Sequence, residues 1–122
     1  MNVLIIDDDR DASDRLADFL AASGHTTWVA ANGLEARREV ETDPPDVILL
    51  NLETPLLENS EMAQALAAGH AGKAAIPIVL ISASQHLARI ADVVGTPYYL
   101  SKPFGISDAI RMVNEALQVS PR

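Results

Sequence analysis

Residues 47–55 read Val-Ile-Leu-Leu-Asn-Leu-Glu-Thr-Pro, and this stretch decides the fold. Its four leading apolar residues do not alternate with polar ones, which is typical of a strand buried on both faces of a parallel sheet. Pro44 and Pro45 break the chain just before it, so a strand is predicted at Val47–Asn51. In open α/β folds the chemistry lies at such strand ends, and here that position holds an amide, Asn51.

Strand-like and helix-like segments alternate along the whole chain. Strands are predicted at Val3–Ile6, Thr26–Ala31, Val47–Asn51, Ile76–Ser82 and Tyr98–Ser101. Helices are predicted at Arg10–Ser23, Leu34–Glu41, Ser60–Ala68, Gln85–Val94 and Ser107–Val119, with Asp9 and Ser107 as caps. This order predicts an α/β fold, a flavodoxin-like doubly wound (βα)5 unit with a five-stranded parallel sheet in the order 2-1-3-4-5. Residues 1–122 are expected to form one domain, with 119–122 as a tail or the start of a linker.

Composition narrows the classes of function. The chain has 122 residues, no cysteine and a net charge of -8, which excludes disulfides, thiolate chemistry and cysteine-based metal sites. An acidic surface repels phosphate backbones, so no nucleic acid is expected to bind this domain. Asp7, Asp8 and Asp9 interrupt the apolar start of the chain, which does not fit a signal peptide, and no run has membrane-spanning length. A cytoplasmic location without membrane attachment is expected.

Polar side chains follow four of the predicted strands, each at its carboxyl end. They are Asp7, Asp8 and Asp9 after the first strand, Asn51 and Glu53 at the third, Ser82 at the fourth and Lys102 after the fifth. Alone, each has an ordinary explanation as a helix cap, a turn residue, a strand-end hydroxyl or a surface lysine. Together, the carboxylates suit a hard cation such as Mg²⁺, while the hydroxyl and the ammonium group suit phosphoryl oxygens. A carboxylate at position 51 would complete a phospho-accepting site.

The segments that carry these residues resemble the receiver domain of two-component response regulators. They read VLIIDDD, PPDVILLNLETP, IPIVLISA and YYLSKPF, and the resemblance extends over essentially the whole chain. It implies that Asp8 ligates Mg²⁺ directly, that Asp7 does so through water, and that the backbone carbonyl of Glu53 is a third ligand. It also implies that Ser82 is a switch hydroxyl.

The same resemblance gives roles to residues of the last strand. Tyr99 corresponds to the aromatic side chain that turns inward together with the switch hydroxyl. Lys102 corresponds to the lysine that pairs with the acceptor and the phosphoryl group, and its peptide bond to Pro103 would be cis.

The chain departs from the pattern of this family at the acceptor itself. Position 51 holds Asn where the family has its phospho-accepting Asp, and an amide has no anionic oxygen to attack a phosphoryl donor. Mg²⁺ binding is expected to be weak, because the site has one carboxylate fewer. Segments 56–61 (LLENSE, with Asn59 in place of a turn glycine) and 95–100 (GTPYYL) also depart from the family. Two interpretations stay open: a natural pseudo-receiver that acts as a docking module, or an ordinary phospho-accepting receiver with an engineered Asp-to-Asn substitution.

Glu53 offers a way to supply the charge that Asn51 lacks. It lies two residues beyond the acceptor position, on the loop at the rim of the cleft. We hypothesise that its carboxylate turns inward and pairs with Lys102. The alternative is a carboxylate that points outward into solvent.

The resemblance also predicts a partner surface in 85–99 and 107–118. Its candidate contact residues are Arg89, Asp92, Tyr98, Arg111 and Glu115. The partner would be a histidine kinase, a phosphotransfer protein, an output domain or a second copy of the chain. The alternative is an ordinary solvated face.

A phosphatase of the haloacid-dehalogenase type is a competing explanation for the acids. Asp7 would be its nucleophile and Asp9 its general acid. Asp11 stands where that family usually has Thr or Val, and no acidic pair follows Lys102. A binding module is therefore expected, not an enzyme.

Overall fold

Five parallel strands form one sheet in the order β2-β1-β3-β4-β5, as predicted. The computed structural model of the chain describes residues 1–54 and 76–119. The strands are β1 (Asn2–Ile6), β2 (Thr26–Ala30), β3 (Val47–Asn51), β4 (Ile78–Ser82) and β5 (Tyr98–Ser101). The described helices are α1 (Arg10–Ala22), α2 (Gly33–Thr42), α3 (Leu87–Val94) and α4 (Ile106–Val119). The predicted helix at Ser60–Ala68, the turn at Asn59 and the tail at 120–122 lie outside the described residues.

Local hydrogen bonds explain where the helices begin. The side chain of Asp9 accepts from the backbone N–H of Ala12 at 3.2 Å and caps α1, as predicted. Asn32 caps α2 in the same way, so that helix begins at Gly33. The prediction that Ser107 caps the last helix is wrong. That helix already begins at Ile106.

The apolar runs of β1, β3 and β4 are buried on both faces of the sheet. In β3 all five residues are buried. Leu50 packs in the layer under α2 and α3, whereas its neighbour Leu49 packs in the layer under α1 and α4. Each fully buried leucine side chain contributes about 1.5–3 kcal/mol, so these two layers hold the central strand in place. No helix in the described part of the chain is long and apolar enough to cross a membrane.

The parallel register brings the carboxyl ends of four strands to one edge of the sheet. Ile6 of β1 lies beside Leu50 of β3, and Asn51 lies beside Ile81 of β4. Ser82 and Ser101 are partners at the next position. The polar residues that end or follow these strands therefore lie close together at this edge of the sheet.

Candidate functional site

Asn51 is buried at the end of β3, with 4% of its surface exposed. Its amide Nδ2 donates to Oδ1 of Asp7 at 2.8 Å. Its carbonyl Oδ1 accepts from Nζ of Lys102 at 3.1 Å and from the backbone N–H of Glu53 at 3.2 Å. The amide thus bridges an acid on one side and a cation on the other, with each of its polar atoms in use.

The three acids after β1 have separate environments. Oδ1 of Asp7 accepts from the backbone N–H of Asp9 at 3.0 Å as well as from Asn51. Asp8 is exposed, and the side chain of Asp9 caps α1. Of the three, Asp7 is the one that contacts Asn51.

The arrangement around Asp7 does not fit a divalent cation as it stands. A hard cation needs oxygen ligands, but Asn51 presents its amide N–H₂ to Asp7 and turns its carbonyl oxygen to Lys102. Rotating that amide by half a turn would place its N–H₂ group against the ammonium group of Lys102, donor against donor. Among the described residues, no three acidic or imidazole side chains form a group that could hold a metal ion.

Glu53 turns inward, and the hypothesised ion pair with Lys102 is present. Its Oε1 lies 3.2 Å from Nζ of Lys102 and accepts from the backbone N–H of Ala83 at 3.3 Å. Its Oε2 accepts from Oγ of Ser82 at 2.6 Å. The Ser82 oxygen in turn accepts from the backbone N–H of Ser84 at 3.0 Å. The alternative of an outward, solvated carboxylate is therefore not what the structure shows.

Two opposing influences act on the pKa of Glu53. Partial burial raises it, because a charged carboxylate loses hydration. The hydrogen bonds from Ser82, Lys102 and Ala83, together with the positive charge of Lys102, outweigh that effect. The pKa of Glu53 therefore lies below its ordinary value, and the carboxylate is ionised at neutral pH.

Residues of and after β5 show a mixed outcome. The Lys102–Pro103 peptide bond is cis, as the resemblance implied. Tyr99 is 37% exposed and is not turned into the core. Tyr98, a candidate contact residue, packs instead against the core layer under α1 and α4.

The remaining candidate contact residues lie on helix surfaces. Arg89 and Asp92 of α3 are exposed, as are Arg111 and Glu115 of α4. Arg111 forms an ion pair with Asp108 of its own helix, with 3.1 Å between Nη2 and Oδ1. These positions leave the partner surface a prediction.

Sequence reasoning missed one functional group, the backbone N–H of Ala83. Any residue type except proline supplies such a donor, so only its place directly after Ser82 could have indicated it.

Two clefts adjoin the site. One, of about 420 Å³, is lined by Glu53, Ser82 and Arg89 among others. The other, of about 400 Å³, lies on the side of Asp7, Asn51 and Lys102.

The fold and the cleft together define a flavodoxin-like module with acids, a hydroxyl and a lysine at the carboxyl edge of its sheet. The family model for the response regulator receiver domain matches residues 3–114 of the chain. The chain therefore belongs to the response regulator receiver domain family. Asp9 serves as a helix cap, and the family match favours a receiver over the haloacid-dehalogenase alternative.

Relatives of known sequence agree with this assignment. The response regulator MprA of Mycobacterium ulcerans is 28% identical over 120 residues, which are 97% of this chain and 50% of that protein. MprA of Mycobacterium leprae is also 28% identical over 120 residues, 97% of this chain and 51% of that protein. The chain thus spans about half the length of the curated relatives it matches.

Solved structures agree as well. The receiver domain of Francisella response regulator 1452 is 28% identical and superposes with a TM-score of 0.83 over 96% of both chains. A two-component response regulator from Clostridium difficile has a TM-score of 0.85 at 23% identity, and the match covers 98% of this chain and 97% of that one. At that identity the second match speaks for the fold alone.

Proposed function

We propose that this receiver domain works as a protein-docking module of a two-component system and does not accept a phosphoryl group. The observation that carries the proposal is the buried amide of Asn51 at the end of β3. A carboxylate oxygen at this place could attack a phosphorus atom, whereas an amide oxygen that accepts from Lys102 and from the Glu53 N–H has neither the charge nor a free lone pair aimed at the cleft.

The surroundings of Asn51 support a settled pseudo-receiver. The amide satisfies Asp7 on one side and Lys102 on the other, so the exchange of a carboxylate for an amide leaves no buried group unpaired here. Asp7, Ser82 and Lys102 keep the positions of a phospho-switch, which is why an engineered Asp-to-Asn substitution is the alternative. The inward carboxylate of Glu53 favours the natural pseudo-receiver, because it supplies Lys102 with a negative charge from within the chain.

Metal binding follows from the same contacts. We infer that Mg²⁺ binds weakly and is not required, because Asn51 presents a donor to Asp7 where a cation needs an oxygen. The exposed Asp8 and the backbone carbonyl of Glu53 would be the remaining ligands.

The partner is proposed to be a protein: a histidine kinase, a phosphotransfer protein, an output domain or a second copy of the chain. Exposed charged residues on α3 and α4, such as Arg89, Asp92 and Glu115, are the proposed contacts. A net charge of -8 argues against nucleic acid as the direct partner. We infer a cytoplasmic site of action and one receiver unit over residues 1–122.

Intact-mass spectrometry after incubation with Mg²⁺ and acetyl phosphate tests the proposal. The unmodified chain is expected to show no phosphoryl adduct, and Asn51→Asp is expected to show one. An adduct on the unmodified chain, mapped to Asp7 or Asp8, would overturn the proposed function. Asn114→Asp, the same exchange at an exposed position of α4, is the control and should stay unmodified.

A further inference from the structure

Three donors from two strand ends converge on the carboxylate of Glu53. They are the hydroxyl of Ser82 at 2.6 Å, the backbone N–H of Ala83 at 3.3 Å and the ammonium group of Lys102 at 3.2 Å. The hydroxyl donates to Oε2 of Glu53, whereas the backbone N–H and the ammonium group both donate to Oε1.

These donors match the needs of a small tetrahedral or planar oxyanion. A hydroxyl, a backbone N–H and an ammonium group all donate, and none of them competes as an anion. Ser82 is 1% exposed, and its oxygen accepts from the N–H of Ser84, which directs the hydroxyl proton toward the carboxylate. The donor set is therefore built by the strand ends, and Glu53 is the group that fills it.

Glu53 reaches this donor set from a flexible side chain on the rim. Its side chain is 48% exposed, so the carboxylate can leave the site without disturbing β3, which ends two residues earlier at Asn51. The cleft of about 420 Å³ beside it, lined by Leu52, Ser84 and Ile90 among others, gives a small anion room to approach. Removing the carboxylate would thus uncover a site of the right chemistry and size.

We propose that Glu53 is an internal oxyanion ligand, which occupies the donors of Ser82, Ala83 and Lys102 and closes them to inorganic phosphate and similar anions. The inference rests on the proposed function, in that a chain without an acceptor carboxylate uses its own side chain in place of an external group. The domain is accordingly held in one conformation, in which Glu53 is the ligand of these donors. Binding of a partner protein then does not respond to phosphate.

Phosphate titrations followed by ¹H–¹⁵N NMR test this inference. Glu53→Ala should bind phosphate saturably, with the amide resonances of Ala83 and Ser84 moving most. The unmodified chain should bind at least about tenfold more weakly, since a site that is occupied in nine molecules of ten loses that factor in apparent affinity. Glu41→Ala, an exposed glutamate of α2, is the matched control and should behave like the unmodified chain.

Three results would overturn the inference. They are equal phosphate affinity of the unmodified chain and Glu53→Ala, no saturable binding by folded Glu53→Ala, and unchanged binding when Lys102→Met is added to Glu53→Ala. If Glu53→Ala does not fold, Glu53→Ser takes its place, since the shorter side chain cannot reach Lys102. The proposed function fails separately, through a phosphoryl adduct on the unmodified chain in the mass measurement.

Discussion

The two sides of the Asn51 side chain face opposite charges, the carboxylate of Asp7 and the ammonium group of Lys102. On the acidic side, Asp7 receives the amide N–H of Asn51 at 2.8 Å, and the acid is satisfied without a cation. On the basic side, Lys102 donates to the amide oxygen of Asn51 at 3.1 Å and to the Glu53 carboxylate at 3.2 Å, so the cation is paired without an external anion. The neutral side chain of Asn51 and the carboxylate of Glu53 thus provide hydrogen-bond and charge partners on both sides.

This difference shows that charge and reactivity can be separated at a strand end. The carboxylate of Glu53 keeps a negative charge next to Lys102, but it also occupies the donors of Ser82 and Ala83. An anion placed there compensates charge and blocks the approach of a phosphoryl donor at once. A carboxylate two residues earlier, at position 51, would instead lie between Asp7 and Lys102.

The largest expected effect follows from restoring the acceptor and emptying the donor set together. Asn51→Asp should accept a phosphoryl group from acetyl phosphate, and Asn51→Asp with Glu53→Ala should do so at least about tenfold faster, because the donors are then free for the transferred group. The measurement is the time course of the adduct by intact mass. Equal rates for the single and the double variant would contradict this expectation, since Glu53 would then not compete with the phosphoryl group for the donors. Asn51→Asp with Glu41→Ala is the control.

Mg²⁺ affinity should change on the acidic side. Asn51→Asp replaces the amide N–H₂ that faces Asp7 with a carboxylate oxygen, so Mg²⁺ should bind about tenfold more tightly or better, as measured by calorimetry. Asn114→Asp adds the same charge on α4 and should leave the affinity as it is. An Asn51→Asp affinity no different from that of the unmodified chain would show that the amide does not limit the site.

The fold could be predicted from the sequence because its cause is local and repeated. The apolar runs of β1 and β3 are buried on both faces, as their composition indicates. Element ends were less accurate. The last helix begins at Ile106 instead of using Ser107 as a cap, because which residue starts a helix depends on contacts that several neighbours can make equally well.

The site was predictable in its residues but not in its contacts. The strand ends were expected to bring Asp7, Ser82 and Lys102 together, and these side chains do share the hydrogen-bond network of Asn51 and Glu53. The orientation of Glu53 stayed open between inward and outward, because an exposed glutamate is stable either way until donors from two distant strands are in place. The N–H of Ala83 could not be read from a residue type, because each residue except proline has one.

A double-mutant cycle on unfolding free energy sharpens the comparison on the basic side. Glu53→Gln, Ser82→Ala and the double variant should give a coupling energy of about 0.5–1 kcal/mol, since one hydrogen bond to a charged, half-exposed group is shared between the two. Glu41→Gln combined with Ser82→Ala should show none. A coupling indistinguishable from zero for the first pair would mean that the contact does not persist in solution.

The smallest expected effect is on the pH dependence of stability. The pKa of Glu53 lies below its ordinary value of 4.5, so the folded state binds the proton less readily than the unfolded state. Its contribution is therefore fully present above pH 4.5 and is lost as the pH falls through the lower, folded-state pKa. Urea unfolding should show the unmodified chain and Glu53→Gln converging at acid pH, with Glu41→Gln as the control. A difference that grows with acidity would contradict the assigned direction.

The most direct test of the account is a crystal structure of the unmodified chain grown without phosphate or sulfate. The account predicts that the Glu53 carboxylate lies within hydrogen-bonding distance of Oγ of Ser82 and Nζ of Lys102, near the 2.6 Å and 3.2 Å found here. A Glu53 side chain directed into bulk solvent, with Lys102 bound to Asn51 alone, would contradict it.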